Sequence, residues 1–109
     1  MKFTTAILSL LPAALAADPC VVYCGCAGCR EVAWVYFVQS NGEQVATAAG
    51  WANMTVSDSI IALENLSGST LAISVYGVIC YTISPYSSCT ARKPDNFTNN
   101  LGVMVWKHP

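Results

Sequence analysis

The segment TLAISVYGVICYTI, residues 70–83, has the most regular pattern in the chain. Its apolar residues recur at every second position, which is the period of a β-strand rather than that of a helix. Gly77 lies in the middle of the pattern, which favours a bulge or bend and therefore two shorter strands. One predicted face consists of Leu71, Ile73, Val75, Ile79, Tyr81 and Ile83.

The segment VAWVYFV, residues 32–38, repeats this period with apolar residues on both faces. It predicts either a central strand covered on both sides or a strand whose outer face is a contact surface. Asn41-Gly42 follows, and Asn-Gly between two strand-like runs predicts a hairpin turn. The return strand is predicted over residues 43–50, with Trp51 at its end.

The other segments add further short strands. Residues 59–64 favour a strand over a short helix, which Ser57 or Asp58 could cap. Residues 65–69 predict a loop into a second hairpin, 84–88 a turn, 91–100 a polar loop and 102–107 a final strand. With five or six strands and little helix, the sequence predicts an all-β fold. We expect a small disulfide-bonded antiparallel sandwich or barrel.

Residues 1–16 have the three parts of a secretory signal peptide. Lys2 is the basic part, residues 6–11 are the apolar part, and residues 14–16 form a small-residue cleavage signal. A transmembrane helix needs about 20 apolar residues, and this run stops before residue 18. Removing 16 of 109 residues leaves one predicted secreted domain over residues 17–109. A domain this short benefits from covalent cross-links.

The charge of the chain argues against two classes of partner. Loss of Lys2 changes the formal net charge from −1 to −2. A nucleic-acid binder normally has a basic patch, and a binder of anionic membranes has a polybasic stripe. The sequence has neither, so we expect no nucleic-acid partner. No stretch after the leader is comparably long and free of polar residues, so we expect no membrane span, and we expect a monomer.

All six cysteines follow the predicted leader, and four of them lie within ten residues. Closely spaced thiolates can bind zinc or copper(I), but a secreted protein meets an oxidant first. Only one histidine is present to assist a metal site. We therefore expect disulfides, with no metal and no cofactor, at Cys20, Cys24, Cys26, Cys29, Cys80 and Cys89.

The pairing of the six cysteines stays open at this point. Fifteen pairings exist, and twelve remain when a strained Cys24–Cys26 bond is set aside. The cluster is too short to have its own core, so at least one bond is expected to join it to Cys80 or Cys89. The alternative is a local Cys80–Cys89 bond with two bonds inside the cluster.

Three N-glycosylation sequons begin at Asn53, Asn65 and Asn96. About one would be expected by chance, and all three lie in predicted turns or loops. They favour glycosylation in a eukaryotic secretory pathway, and the alternative is that none is occupied.

No group of residues specifies a reaction. His108 is the only histidine, and a frayed chain end is a poor place for a general base. The carboxylates are scattered, no serine lies in a nucleophile elbow, and a disulfide-bonded chain has no free thiol for Cys-His catalysis. We therefore expect no enzymatic activity and no catalytic residue.

The aromatic residues are numerous for so short a chain. Most are expected in the core, but a small sandwich has limited interior. Exposed Trp and Tyr often anchor protein partners, and aromatic residues in loops are the more specific signal. Tyr86 in the predicted turn and Phe97 in the polar loop are the candidate partner-binding residues.

The leader, the short mature chain and the six cysteines together resemble the small secreted cysteine-rich effectors of plant-pathogenic fungi. The layout is most similar to necrosis-inducing peptides and avirulence products. The resemblance implies a virulence role in the host apoplast, and it transfers no binding residue. The chain departs from hydrophobins, which have eight cysteines with two adjacent pairs, since no two cysteines are adjacent here.

The leading hypothesis is a non-enzymatic effector that binds a host protein or carbohydrate in the apoplast or at the cell surface. One alternative is an antimicrobial or killer-type toxin, against which the net negative charge argues. Another is a structural protein of the fungal cell surface, which the high apolar content favours.

Overall fold

The computed structural model describes residues 18–109, so the predicted signal peptide lies outside the described residues. Over residues 18–109 the chain forms nine β-strands in two antiparallel sheets. The all-β prediction is confirmed, although five or six strands were expected. The strands are β1 Arg30–Tyr36, β2 Val38–Ser40, β3 Glu43–Ala48, β4 Ala52–Val56, β5 Ile60–Asn65, β6 Leu71–Val75, β7 Ile79–Ile83, β8 Ser88–Arg92 and β9 Gly102–Lys107.

The two sheets pack face to face as a sandwich. The four-stranded sheet has the order β1-β9-β6-β7, and the five-stranded sheet has the order β2-β3-β4-β5-β8. Alternate residues of each strand point into the space between the sheets, as the pleat requires. The buried side chains include Ala46, Met54, Ile61, Leu63, Leu71, Ile73, Val75, Val103 and Val105. Within residues 18–109 no helix is long and apolar enough to cross a membrane.

Residues 70–83 form a hairpin, as their pattern and its central glycine suggest. Val75 pairs with Ile79, and the three-residue turn between them has Gly77 at φ +74°. A side chain rarely adopts this backbone conformation, so the turn favours glycine. The predicted division into two strands is confirmed, and the bend is a complete chain reversal.

The Asn41-Gly42 hairpin is also confirmed. Both turn residues have positive φ, at 52° and 82°, and Ser40 pairs with Glu43 across the turn. This is the geometry that a two-residue turn needs to match the twist of its strands.

Strand β1 lies at an edge of its sheet, so the prediction of a central strand is wrong. Its residues pair with β9 alone, from Arg30↔Lys107 to Tyr36↔Gly102. At Phe37 the chain leaves this sheet and continues as β2 in the other one. Phe37 is buried, which fixes the point of crossing in the core.

The sequence prediction missed strands β4 and β8 and treated β1 and β2 as one strand. Strand β4 pairs with β3 and β5, and β8 pairs with β5. Residues 66–70 cross from β5 to the opposite sheet and lead into the β6–β7 hairpin, so the predicted loop into a second hairpin is confirmed. Strand β8 ends at Arg92 and therefore includes the first residues of the predicted polar loop.

The N-terminal segment, residues 18–29, covers the edge strands β7 and β8. The Cys20 N–H donates to the Thr90 carbonyl at 2.9 Å, and the Thr90 N–H donates to the Asp18 carbonyl at 2.8 Å. On β7, the Thr82 N–H donates to the Val21 carbonyl at 2.9 Å. Exposed strand edges are templates for aggregation, and this segment occupies backbone groups on two of them.

Three disulfides bind all six cysteines. Cys20–Cys89 joins the N-terminal segment to β8, and Cys24–Cys80 joins it to β7, with sequence separations of 69 and 56 residues. Cys26–Cys29 closes a local loop. The expected link between the cluster and residues 80–89 is confirmed twice, and the alternative Cys80–Cys89 bond is wrong.

We expect that Tyr81→Phe stabilises the fold by about 1 kcal/mol. The Tyr81 side chain is fully buried, and its hydroxyl has no hydrogen-bond partner in the part of the chain that the structure describes. Removing the hydroxyl removes a buried unsatisfied polar group while it keeps the packed ring. Urea unfolding measures the change, with Tyr86→Phe on the surface as the control. A loss of stability in Tyr81→Phe would show that the hydroxyl is bonded in solution.

The stability of Tyr81→Phe should also depend on pH differently from that of the unchanged protein. Burial raises the pKa of Tyr81 above its usual value near 10. The folded state therefore binds the proton of the Tyr81 hydroxyl more tightly than the unfolded state does. This difference stabilises the folded state fully below pH 10. It is lost as the pH rises through the folded pKa. Tyr81→Phe should reduce the loss of stability above pH 10.

Candidate functional site

Three exposed aromatic side chains lie at one end of the four-stranded sheet and form what we call the aromatic shelf: Trp34, Tyr36 and Tyr76. Their exposed fractions are 45 %, 56 % and 67 %. The rings of Trp34 and Tyr36 are in contact, with centroids 5.4 Å apart and planes tilted by 59°. Such contacts are favourable for aromatic pairs, so the two rings support each other without burial.

The pleat of β1 places Trp34 and Tyr36 on the outer face of the sheet, while Val35 and Phe37 pack against the core. The second predicted alternative for this strand, with an outward apolar face, therefore describes its geometry. Its use as a contact surface stays a prediction.

Gly102 lies directly against the Trp34 ring of the aromatic shelf. It pairs with Tyr36 on β1, and its carbonyl accepts a hydrogen bond from the Tyr76 N–H at 2.9 Å. A Cβ atom at Gly102 would lie 2.7 Å from Cη2 of Trp34, which is closer than side chains allow. The missing side chain therefore lets the indole lie against the backbone of β9.

The chain around the aromatic shelf has no formal charge. Residues 32–42, 71–91 and 96–106 contain no Asp, Glu, Lys or Arg. These ranges include the shelf residues, whereas Arg30, Glu31 and Lys107 lie at the opposite end of the β1–β9 pair. The shelf is therefore suited to an uncharged or weakly polar surface rather than to a polyanion.

The predicted partner-binding residues lie elsewhere. Tyr86 is exposed, has a φ of 52°, and its ring lies over Gly68. Phe97 is partly buried, and its ring packs edge-on against Phe37 with centroids 5.3 Å apart. This contact favours a packing role for Phe97. The structure joins neither residue to the aromatic shelf, and their partner binding stays a prediction.

The three sequons differ in accessibility. Asn65 is 1 % exposed, and its Nδ2 donates to the carbonyls of Ser69, Ile83 and Ser84 at 2.7, 3.2 and 3.0 Å. A glycan would replace one of the two hydrogens on this nitrogen, break at least one of these bonds and need space at a buried side chain, so the geometry argues against glycosylation of Asn65 in the folded protein.

The other two sequons remain accessible. Asn53 is partly exposed on β4, and Asn96 is exposed in the loop between β8 and β9. The expectation that all three lie in turns or loops is wrong for Asn53, which lies within a strand, and for Asn65, which ends β5. Glycosylation at Asn53 and Asn96 stays a prediction.

A second feature lies where the N-terminal segment crosses the four-stranded sheet. A cavity of about 340 Å³ opens there, lined by Cys24, Cys26, Cys29, Ala72, Ser74, Cys80 and Trp106. Two disulfides therefore border one cavity.

His108 lies beside the Cys26–Cys29 disulfide. Its ligand atom and the two sulfurs lie within 4.8 Å of one another. The His108 N–H donates to the Thr70 carbonyl at 3.0 Å, so the expectation of a frayed end is wrong for this backbone. Sequence analysis missed the association because the histidine and the cysteines lie at opposite ends of the chain.

Comparisons of this chain with protein-family models, with curated proteins and with solved structures found no match.

Proposed function

We propose that this protein is a secreted, non-enzymatic effector that binds a host protein through the aromatic shelf. The observation that carries the proposal is the contact pair Trp34 and Tyr36, exposed on the outer face of an edge strand. Isolated apolar side chains on a surface are common, but here two exposed aromatic rings are in contact beside Gly102, whose carbonyl is bonded to the Tyr76 N–H. Trp and Tyr are also the residues that most often dominate binding energy at interfaces.

The role as an effector rests on the sequence and is supported by the disulfides. A small domain whose six cysteines are all paired is typical of oxidising extracellular surroundings. The resemblance to cysteine-rich fungal effectors supplies the proposed setting, which is the plant apoplast. Host carbohydrate at the cell surface is the second class of ligand.

The angle between the Trp34 and Tyr36 rings favours a protein partner over a carbohydrate ligand. Trp34 and Tyr36 are inclined by 59°, so they form an angled surface rather than a flat platform. An angled pair fits between the side chains of a protein partner, where aromatic anchors fill pockets. A flat sugar ring would stack on one of the two rings at a time.

We expect that Trp34→Ala or Tyr36→Ala weakens capture of the host partner by at least about 30-fold, which is the loss typical of an interface anchor. The purified oxidised protein is infiltrated into leaves of several host genotypes, and photo-crosslinking from position 38 on the neighbouring β2 identifies the partner in apoplast fluid. Binding to that partner and to cell-wall polysaccharides is then measured for each variant.

Tyr23→Ala is the matched control, because Tyr23 is 60 % exposed, close to the 56 % of Tyr36, and lies outside the aromatic shelf. It should bind as the unchanged protein does. Equal losses for Tyr23→Ala and Tyr36→Ala would contradict a role of the shelf. Binding to polysaccharide alone would contradict the choice of a protein, and the absence of any leaf response would contradict the effector role.

A further inference from the structure

We propose that Cys26, Cys29 and His108 form a zinc site that becomes available when the Cys26–Cys29 disulfide is reduced. This inference is independent of the aromatic shelf. It concerns one pair of cysteines only, and the other two disulfides remain intact.

The geometry of the three side chains fits a zinc site. The ligand atoms of Cys26, Cys29 and His108 already lie within 4.8 Å of one another. The Cα atoms of Cys26 and Cys29 are 5.6 Å apart. Tetrahedral zinc with sulfur and nitrogen ligands places those ligands about 3.5 to 3.8 Å apart. Reduction lets the two sulfurs separate to that distance by side-chain rotation. The fourth position is left to water, as in sites with three protein ligands.

His108 supplies the second observation. Its Nε2 is buried and has no hydrogen-bond partner among residues 18–109. Most buried polar atoms have a partner, so an unpaired nitrogen on an imidazole that lies beside two sulfurs calls for an explanation. A metal ligand role explains it. The His108 N–H is bonded to the Thr70 carbonyl, so the backbone that carries the imidazole is held beside the disulfide.

The fold is expected to survive opening of this one bond. Cys26 and Cys29 are only 3 positions apart in the sequence, whereas the cysteines of the other two disulfides are 56 and 69 positions apart. In the chain-entropy argument a short closed loop constrains the unfolded chain least. The bond also borders the open cavity, so a small reductant can reach it.

A dithiol can serve as the reductant of the Cys26–Cys29 disulfide. The dithiol gives two electrons and two protons to the Cys26–Cys29 bond, which breaks to two thiols, and its own sulfurs join as a disulfide. Zinc then binds both thiolates and the neutral His108 imidazole, and the two thiol protons are released to solvent.

The test begins with graded reduction of the full secreted protein. Differential alkylation and mass spectrometry identify the sample in which only Cys26 and Cys29 are free. After anaerobic removal of the reductant, that sample is titrated with Zn²⁺ against a chromophoric chelator. Co²⁺ is the spectroscopic probe for tetrahedral thiolate coordination. We expect one Zn²⁺ per reduced chain and none per oxidised chain.

Two variants make the test specific. His108→Ala should be reduced as easily as the unchanged protein but should bind Zn²⁺ at least about tenfold more weakly, since one of three protein ligands is lost. Cys26→Ala/Cys29→Ala should fold and bind none. The proposal is overturned if the long-range bonds open first, if the reduced chain binds no Zn²⁺, or if His108→Ala binds equally well.

Discussion

Replacing both Cys20 and Cys89 by alanine is expected to lower the free energy of unfolding by about 4 kcal/mol. The bond spans 69 residues, so its loss greatly enlarges the range of conformations open to the unfolded chain. The N-terminal segment would also be held less firmly against β8, where it occupies Thr90 backbone groups. A small domain has a total margin of about 5 to 15 kcal/mol, so this loss is a large part of it.

Urea unfolding of the oxidised proteins measures the effect. The matched control is Cys26→Ala/Cys29→Ala, in which a bond across three residues is removed. Its loss should be about 2 kcal/mol or less by the same chain-entropy argument. Equal losses in the two double variants would contradict the importance of the long-range cross-link.

Asn65→Ala is expected to cost about 3 kcal/mol, since several buried hydrogen bonds are lost and their partners are left unsatisfied. Beyond the three carbonyls that Nδ2 serves, Oδ1 accepts from the Ser67 N–H and hydroxyl, each at 2.8 Å. One side chain therefore fastens the crossover from β5 to β6 and the end of β7. No water replaces these bonds without opening the core.

The control for this prediction is Asn53→Ala. It also removes a sequon, but its side chain lies on the outer face of β4 and is partly exposed. Its effect should stay within about 0.5 kcal/mol. Both variants and the unchanged protein are prepared without glycosylation, and urea unfolding is compared. An Asn65→Ala protein as stable as Asn53→Ala would contradict the bonded geometry of Asn65.

The parts of the fold with local signals could be predicted from the sequence. The β6–β7 hairpin has alternating apolar residues on both sides of Gly77, and the β2–β3 turn has Asn-Gly. Strand β4 has the same alternation, with Ala52, Met54 and Val56 inward and Asn53 and Thr55 outward, so the sequence analysis overlooked a local signal. Strand β8 has only cysteine and alanine at its inward positions, so its place depends on pairing with β5.

The aromatic shelf, too, could be predicted from the sequence only in part. The alternation around Trp34 predicts that its side chain shares a face with Tyr36, but not whether a neighbour covers that face. Exposure follows from the position of β1 at the sheet edge and from Gly102, which is distant in sequence. The cysteine spacing predicted a long-range link, while the partner of each cysteine depended on which strand edges the N-terminal segment reaches.

The sequence separation of the two long-range disulfides sets the order of events during synthesis. Cys20 is made 69 residues before its partner Cys89. At about 5 to 20 residues per second, the ribosome needs about 3 to 14 s to supply that partner. Until Cys80 is made, the four early cysteines can pair within the chain only with one another, and Cys26–Cys29 is the native pair among them. Any other early pair must be reshuffled before the two long-range bonds can form, so maturation through such a pair requires disulfide isomerisation.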